Sequence, residues 1–200
     1  MQLRVMKLGG SLLGQPRLRD RVDRWLASEP AAMTLMVVGG GPPVDTIRDL
    51  ATLYPYDQEF LHWLCIDLLD ISYRLLSAQL PEWTHVRSAS SLAGMLQNRG
   101  REQAMVAKVL VSISAFYDRE TESQLPVRLP RSWDTTSDSL AALLARLSSA
   151  DELVLLKACS LPNPSPRSHD DWEGLAKLGI VDSAFPAIIE GLPRVRCANL

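Results

Sequence analysis

Lys7-Leu8-Gly9-Gly10-Ser11 near the N-terminus and Gly39-Gly40-Gly41-Pro42 about thirty residues later are the segments of this chain best suited to chemistry. Each follows a short apolar run and precedes a helical pattern. Glycine lets backbone N–H groups approach an anion closely, and a following helix turns its positive dipole end toward the same spot. A lysine inside an otherwise apolar strand calls for an anionic partner. Two such turns with one lysine suit two phosphate-bearing molecules held side by side, and hence phosphoryl transfer. That reaction needs alignment and positive charge on the equatorial oxygens more than it needs an acid or a base. Taken alone, each cluster is also what a tight strand-to-helix turn requires. Neither reads G-x-x-x-x-G-K-[ST] or G-x-G-x-x-G, which excludes the P-loop and the dinucleotide-binding fingerprint.

Other candidates are spread along the chain. Asp138, in Thr135-Thr136-Ser137-Asp138, fits both a helix-capping residue and a catalytic carboxylate. Lys157 closes an apolar run as a second phosphate contact or as an ordinary strand-end lysine. Between Asp57 and Leu80, the side chains Glu59, His62, Asp67, Asp70 and Arg74 fall within an arc of about 140° at helical spacing. Such a stripe is either a solvated face or an acceptor-facing one, on which His62, Asp67 or Asp70 meets substrate and a carboxylate holds an ammonium group. His85 and His169 lack metal-ligand spacing, and no metal ligands are assigned.

The elements that position these residues alternate between strand and helix. Strands are predicted over Leu3 to Leu8, Met33 to Val38, Ala107 to Ser112, Glu152 to Lys157 and Arg194 to Ala198. Helices are predicted over Pro16 to Ala27, Pro42 to Leu53, Asp57 to Leu80, Ser90 to Gln97 (closed by Asn98-Arg99-Gly100), Thr136 to Leu147 and Asp171 to Leu178. Asp118 to Trp133, rich in charge and proline, reads as a surface excursion, and Leu161-Pro162-Asn163-Pro164-Ser165-Pro166 suits neither helix nor sheet. The alternation implies an α/β fold, a three-layer αβα sandwich around a mostly parallel sheet. A continuous apolar run such as Met33 to Val38 is what a strand covered on both faces requires.

Composition bounds the rest. The chain has 200 residues, 46% hydrophobic and 22% charged, which suits a single domain with one good core. With a net charge of −2 and no Lys/Arg run, neither nucleic acid nor an anionic membrane is an expected partner. Three scattered cysteines, never in a C-x-x-C pair, argue against structural zinc and a disulfide framework. The N-terminus reads as a strand, and no apolar stretch approaches the ~18 residues of a membrane span, so a cytoplasmic protein is expected.

On Lys7-Leu8-Gly9-Gly10-Ser11, Gly39-Gly40-Gly41 and Thr136-Ser137-Asp138-Ser139-Leu140-Ala141, in this order and spacing, the chain resembles the amino acid kinase superfamily. Val154-Leu155-Leu156-Lys157-Ala158 looks like the strand that precedes the adenine-binding region in its uridylate kinase branch. More narrowly, Gly39-Gly40-Gly41-Pro42-x-x-Asp45, His62-Trp63, Ser132-Trp133-Asp134-x-Thr136-Ser137-Asp138 and Gly179-Ile180-Val181-Asp182-x-x-Phe185 resemble aminomethylfuranmethanol-phosphate kinase-like proteins. The resemblance implies the amino acid kinase fold, ATP and Mg2+ as cofactors, a small phosphate or carboxylate acceptor, and a homodimer or higher homo-oligomer. It implies that Lys7 contacts the transferring phosphoryl group and that Gly9, Gly10 and Ser11 line the nucleotide phosphates. It likewise implies that Gly39, Gly40 and Gly41 hold the acceptor and that Asp138 organises the lysines, or magnesium between them. The chain departs from the pattern after Lys157. A later glycine-rich segment ending in a second lysine has no counterpart, with only Gly174, Gly179 and Gly191 remaining. A member that binds a small anion without phosphoryl transfer is therefore the rival expectation.

Overall fold

A computed structural model describes residues 2–98, 107–159, 166 and 168–200. The sheet is built from β1 (Leu3–Leu8), β2 (Met33–Val38), β3 (Thr84–Val86), β4 (Lys108–Val111), β5 (Glu152–Lys157) and β6 (Val195–Asn199). Their spatial order is β3-β4-β2-β1-β5-β6, and every pairing is parallel. All residues of β1, β2 and β5 are buried, which explains their near-continuous apolar sequences. From β1 the chain steps to β2 on one side and reaches β5 on the other. In open α/β sheets, the crevice at such a reversal, beyond the carboxyl ends of the strands, is where ligands bind.

Side-chain alternation divides the core between the two faces of the sheet. Leu3, Val5, Leu35, Val37, Leu153 and Leu155 belong to one apolar cluster and Met6, Leu8, Met36, Val38, Val154 and Leu156 to the other. The first cluster takes in α4 (Ala89–Asn98), α5 (Ser137–Leu147), α6 (His169–Lys177) and α7 (Phe185–Ile188), while α1 (Leu18–Ser28) packs in the second. The long α3 (Gln58–Gln79) serves both, through Trp63, Ile66 and Leu69 and then through Tyr73 and Leu76. Asp57 caps it by accepting the Phe60 N–H at 2.9 Å. The expected sandwich is present, with a sheet that is parallel throughout among the described residues.

Several expectations need correction. The first glycine turn does not run straight into a helix: a 3-10 turn (Gly10–Gly14) intervenes, and α1 starts at Leu18 after Arg17 at φ 54°. A short 3-10 turn lacks the aligned dipole of an α-helix, so the dipole argument applies only to α2 (Pro42–Leu53), which begins directly after Gly41. The excursion from Asp118 to Trp133 is not wholly superficial, since Glu122 and Leu129 are buried. Strand β3 was missed because three residues are too few to show a period, and α7 because four residues are too few for helical spacing. The expected closure at Asn98-Arg99-Gly100 falls partly, and the stretch Leu161 to Ser165 wholly, outside the described residues.

One buried ionic cluster ties the strands together. Arg4, the second residue of β1, places Nε 2.7 Å from Glu152 Oε2, while Arg196 Nε lies 2.9 Å from Glu152 Oε1. Glu29 lies 2.5 Å from Arg196 Nη2, and Trp25 sits against both guanidinium groups, with centroid distances of 5.7 and 5.4 Å. A charge with almost no exposure survives in the core because paired carboxylates and an aromatic face replace its water.

Candidate active site

The carboxyl ends of β1 and β5 each carry a lysine, and both side chains emerge on the sheet face covered by α5. Asp138, in the first turn of α5, lies between them. Its Oδ1 is 2.8 Å from Lys7 Nζ and its Oδ2 is 2.6 Å from Lys157 Nζ, with all three residues buried. Lys157 also donates to the Ile180 carbonyl at 2.6 Å. Burial works against both charge types. It pushes the Asp138 carboxyl up, but the two ammonium groups outweigh it and hold Asp138 below the usual carboxylate range. Burial, reinforced by Lys157, pulls Lys7 below an ordinary lysine despite the opposing pull of Asp138.

Asp138 does not cap its helix. The N-cap is Thr136, whose Oγ1 accepts the Asp138 N–H at 3.5 Å, a long bond. The turn is held instead by Asp182, which accepts from Thr136 N at 2.8 Å, Thr136 Oγ1 at 2.7 Å and Ser139 N at 3.0 Å, and from the Ser139 hydroxyl. Burial and the neighbouring Asp138 push the Asp182 carboxyl above its ordinary range, against these hydrogen bonds. Asp182 therefore occupies the positive end of α5. Local spacing could not reveal it, because the contact spans more than forty positions and only the Gly179-Ile180-Val181-Asp182 segment marks the place.

The two glycine turns pack on each other. A Cβ on Gly10 would lie 2.1 Å from Gly41 N, and one on Gly39 would lie 2.8 Å from Gly10 N. Gly41 adopts φ 61°, ψ −151°, a conformation essentially confined to glycine. Their amides divide by role. Gly9 N donates to Leu156 O and Gly39 N to Leu8 O, both at 2.9 Å, so these two extend the sheet ladders. Gly10, Ser11, Gly40 and Gly41 line the cavity described next. Pro42 and Pro43 open α2 without N–H groups, which leaves the glycine amides as the donors at that end.

A cavity of about 580 Å3 opens over these parts, lined by both turns, Lys7, Asp138, Lys157 and Asp182, and by Asp45, Arg48, His62, Cys65 and Trp133. The polar stripe of α3 is split. His62 is buried on the cavity side, its Nε2 3.0 Å from Tyr117 Oη, and burial lowers its basicity. Asp67 is exposed, and Asp70 accepts from Ser112 Oγ at 3.1 Å; neither lines the cavity. An arc of about 140° is wider than the helix face turned toward the cavity, so its two edges look in different directions. Cys65, with its thiol pushed up to about 11 by burial, is a protonated lining group.

The described residues contain no group of three or more His, Cys, Asp or Glu able to hold a metal, and both oxygens of Asp138 face ammonium groups. The side chains present therefore do not fit a resident metal centre. Also among the described residues, no helix is long and apolar enough to cross a membrane.

The fold and site can be set beside known proteins. Solved structures similar to this one include the uridylate kinase of Archaeoglobus fulgidus (17% identity, TM-score 0.63), with 100% of this chain and 91% of that chain covered. The UMP kinase of Ureaplasma parvum aligns at 13% identity and TM-score 0.58 over 100% and 90%. The aspartate kinase of Synechocystis aligns at 20% identity and TM-score 0.62 over 98% of this chain and 38% of that one. At these identities the likeness is one of fold. No match was found among curated proteins. Residues 2–160 match the Amino acid kinase family, a span that takes in both glycine turns, Lys7, Asp138 and Lys157. The chain belongs to the amino acid kinase family.

Proposed function

We propose that this protein is an ATP-dependent kinase that transfers a phosphoryl group to a small phosphomonoester or carboxylate acceptor. The observation that carries the reading is the Asp138 carboxylate held between Lys7 and Lys157 beside two interlocked glycine turns. In the reaction, an anionic acceptor oxygen attacks the γ-phosphorus, the bond to the β,γ-bridging oxygen breaks, and its electron pair leaves on ADP. The acceptor is already a nucleophile, so no protein base is needed. Lys7 and Lys157 neutralise charge on the transferring oxygens, and Asp138 keeps two buried ammonium groups close enough to act together. The amides of Gly10 and Ser11 serve the nucleotide phosphates and those of Gly40 and Gly41 the acceptor. Magnesium, a charge-neutralising ion in such transfers, would arrive with the nucleotide phosphates.

The motif resemblance favours aminomethylfuranmethanol phosphate as acceptor, which makes the product a diphosphate activated for a coupling step in one-carbon cofactor synthesis. We infer a homodimer or higher homo-oligomer on the same basis. The test is ATP turnover with Mg2+ across phosphomonoesters, carboxylates and carbamate, where turnover of one class supports the reading. The rival, an anion-binding protein without transfer, rests on the missing glycine-rich segment and lysine after Lys157. Lys157 itself, paired with Asp138, supplies a second ammonium group and weighs against that rival. Calorimetry showing no heat, together with no thermal stabilisation, at millimolar ATP and Mg2+ would favour it.

A further inference from the structure

The cavity has a second charged wall, away from the lysines. Arg48 on α2 places its guanidinium carbon 5.1 Å from the centroid of the Trp133 ring, and its Nη1 lies 2.9 Å from Asp45 Oδ1. All three side chains line the cavity, whose lining also includes the apolar Ile66 and Leu69 of α3. Helix α2 has no buried residue, so the core does not hold Arg48 in place. Its position comes from Asp45 on one side and the indole face on the other. A guanidinium carries five N–H donors in a planar fork that matches a carboxylate or phosphate. Asp45 takes one of them. Arg48 and Asp45 keep 49% and 66% of their side chains exposed, so the pair stands at the solvent side of the cavity wall, and the indole face against the guanidinium is what sets it apart from an ordinary surface pair.

We propose that Arg48 is the specificity-determining residue of the acceptor subsite, recognising the anionic group that the acceptor already carries, with Asp45 and Trp133 holding its guanidinium ready. This rests on the kinase reading for the word acceptor, but the binding it describes does not depend on turnover. The subsite then selects a small molecule with an anionic end and a flat or apolar body, the body lying against Ile66 and Leu69. An amine-bearing acceptor would find its carboxylate at Asp45, not at Asp67 or Asp70, which lie off the cavity.

The test uses the full chain and equilibrium binding by calorimetry without nucleotide. Phenyl phosphate, benzoate and benzyl alcohol serve as probes with a common ring and a different head group. Arg48→Gln should weaken the preferred anionic probe by about tenfold or more, the range for a hydrogen bond to a charged group, and leave benzyl alcohol unchanged. Arg48→Lys should recover part of the loss, since it keeps the charge and loses the fork. Loss for phenyl phosphate alone assigns a phosphomonoester, and loss for benzoate alone assigns a carboxylate. Equal affinities of Arg48→Gln and the parent protein for all probes, or no binding of either anion by the parent protein at millimolar concentration, would overturn the proposal. Either result leaves the kinase reading to stand on its own turnover assay, and a failed turnover assay leaves this binding result intact. Gln and Arg have similar helix propensity on an exposed helix, so the variant is expected to fold, which retained thermal unfolding would verify.

Discussion

Asp182 accepts both the backbone N–H and the hydroxyl of Thr136, at 2.8 and 2.7 Å, so a loop carboxylate closes the N-terminal turn of the helix that presents Asp138. The same loop binds Lys157 through the Ile180 carbonyl. One short segment therefore fixes two of the three charged groups in the candidate site. Asp182→Ala should leave the Thr136 and Ser139 amides without their partner and cost at least about 2 kcal/mol, since each unsatisfied buried donor costs about 1–3 kcal/mol. Urea denaturation measures the loss, and a variant as stable as the parent would show that water replaces the carboxylate.

Lys7 and Asp138 should affect rate more than affinity. Lys7→Ala is expected to reduce kcat by about 10²-fold or more with the fold retained, the scale for losing a group that meets charge in the transition state. Asp138→Asn should lower kcat comparably, because Thr136 and Asp182, not Asp138, secure the helix end. An Asp138→Asn protein with unchanged kcat and a lowered Tm would mean that Asp138 is structural.

The glycine turns permit a paired test. Gly10→Ala would drive a methyl to within 2.1 Å of the Gly41 backbone nitrogen, which cannot move without disturbing the second turn. A loss of about 1–3 kcal/mol or more is expected, as for overpacking elsewhere. Gly14→Ala meets nothing within 4 Å and should stay within about 0.5 kcal/mol of the parent. Similar melting temperatures for both variants would contradict the interlocking of the turns.

Acid should weaken the ionic cluster on β1, β5 and β6. Burial pushes the Glu152 carboxyl up, but its hydrogen bonds to Arg196 and Arg4 outweigh burial and hold it below the ordinary value. A carboxylate with a depressed folded-state pKa binds fewer protons folded than unfolded. Its stabilisation is therefore present above the unfolded pKa, near 4.5, and is lost as pH falls through the lower folded value. Stability measured between neutral and acid pH should decline in that window. Glu152→Gln should flatten the decline while costing about 3 kcal/mol at neutral pH, because Arg4 loses its closest anion. An unchanged acid limb in the variant would remove Glu152 as its cause.

Local residue chemistry was enough to place most elements. The ranges Leu3–Leu8, Met33–Val38, Pro42–Leu53 and Glu152–Lys157 match the structure, because continuous apolar runs and a proline start are local signals. The glycines and Lys7 were legible for the same reason: a lysine at the end of an apolar strand and a turn without side chains each need a stated cause. Tertiary structure decided the rest. It separated Gly9 and Gly39, which serve the sheet, from Gly10, Ser11, Gly40 and Gly41, which line the cavity. It divided the polar arc of α3 so that His62 turned inward while Asp67 and Asp70 stayed off the cavity. It brought Asp182 to Thr136 and Arg48 to Trp133 across long stretches of chain. Periodicity reports which side of an element is apolar, whereas the partner of a polar group depends on how distant elements close around it.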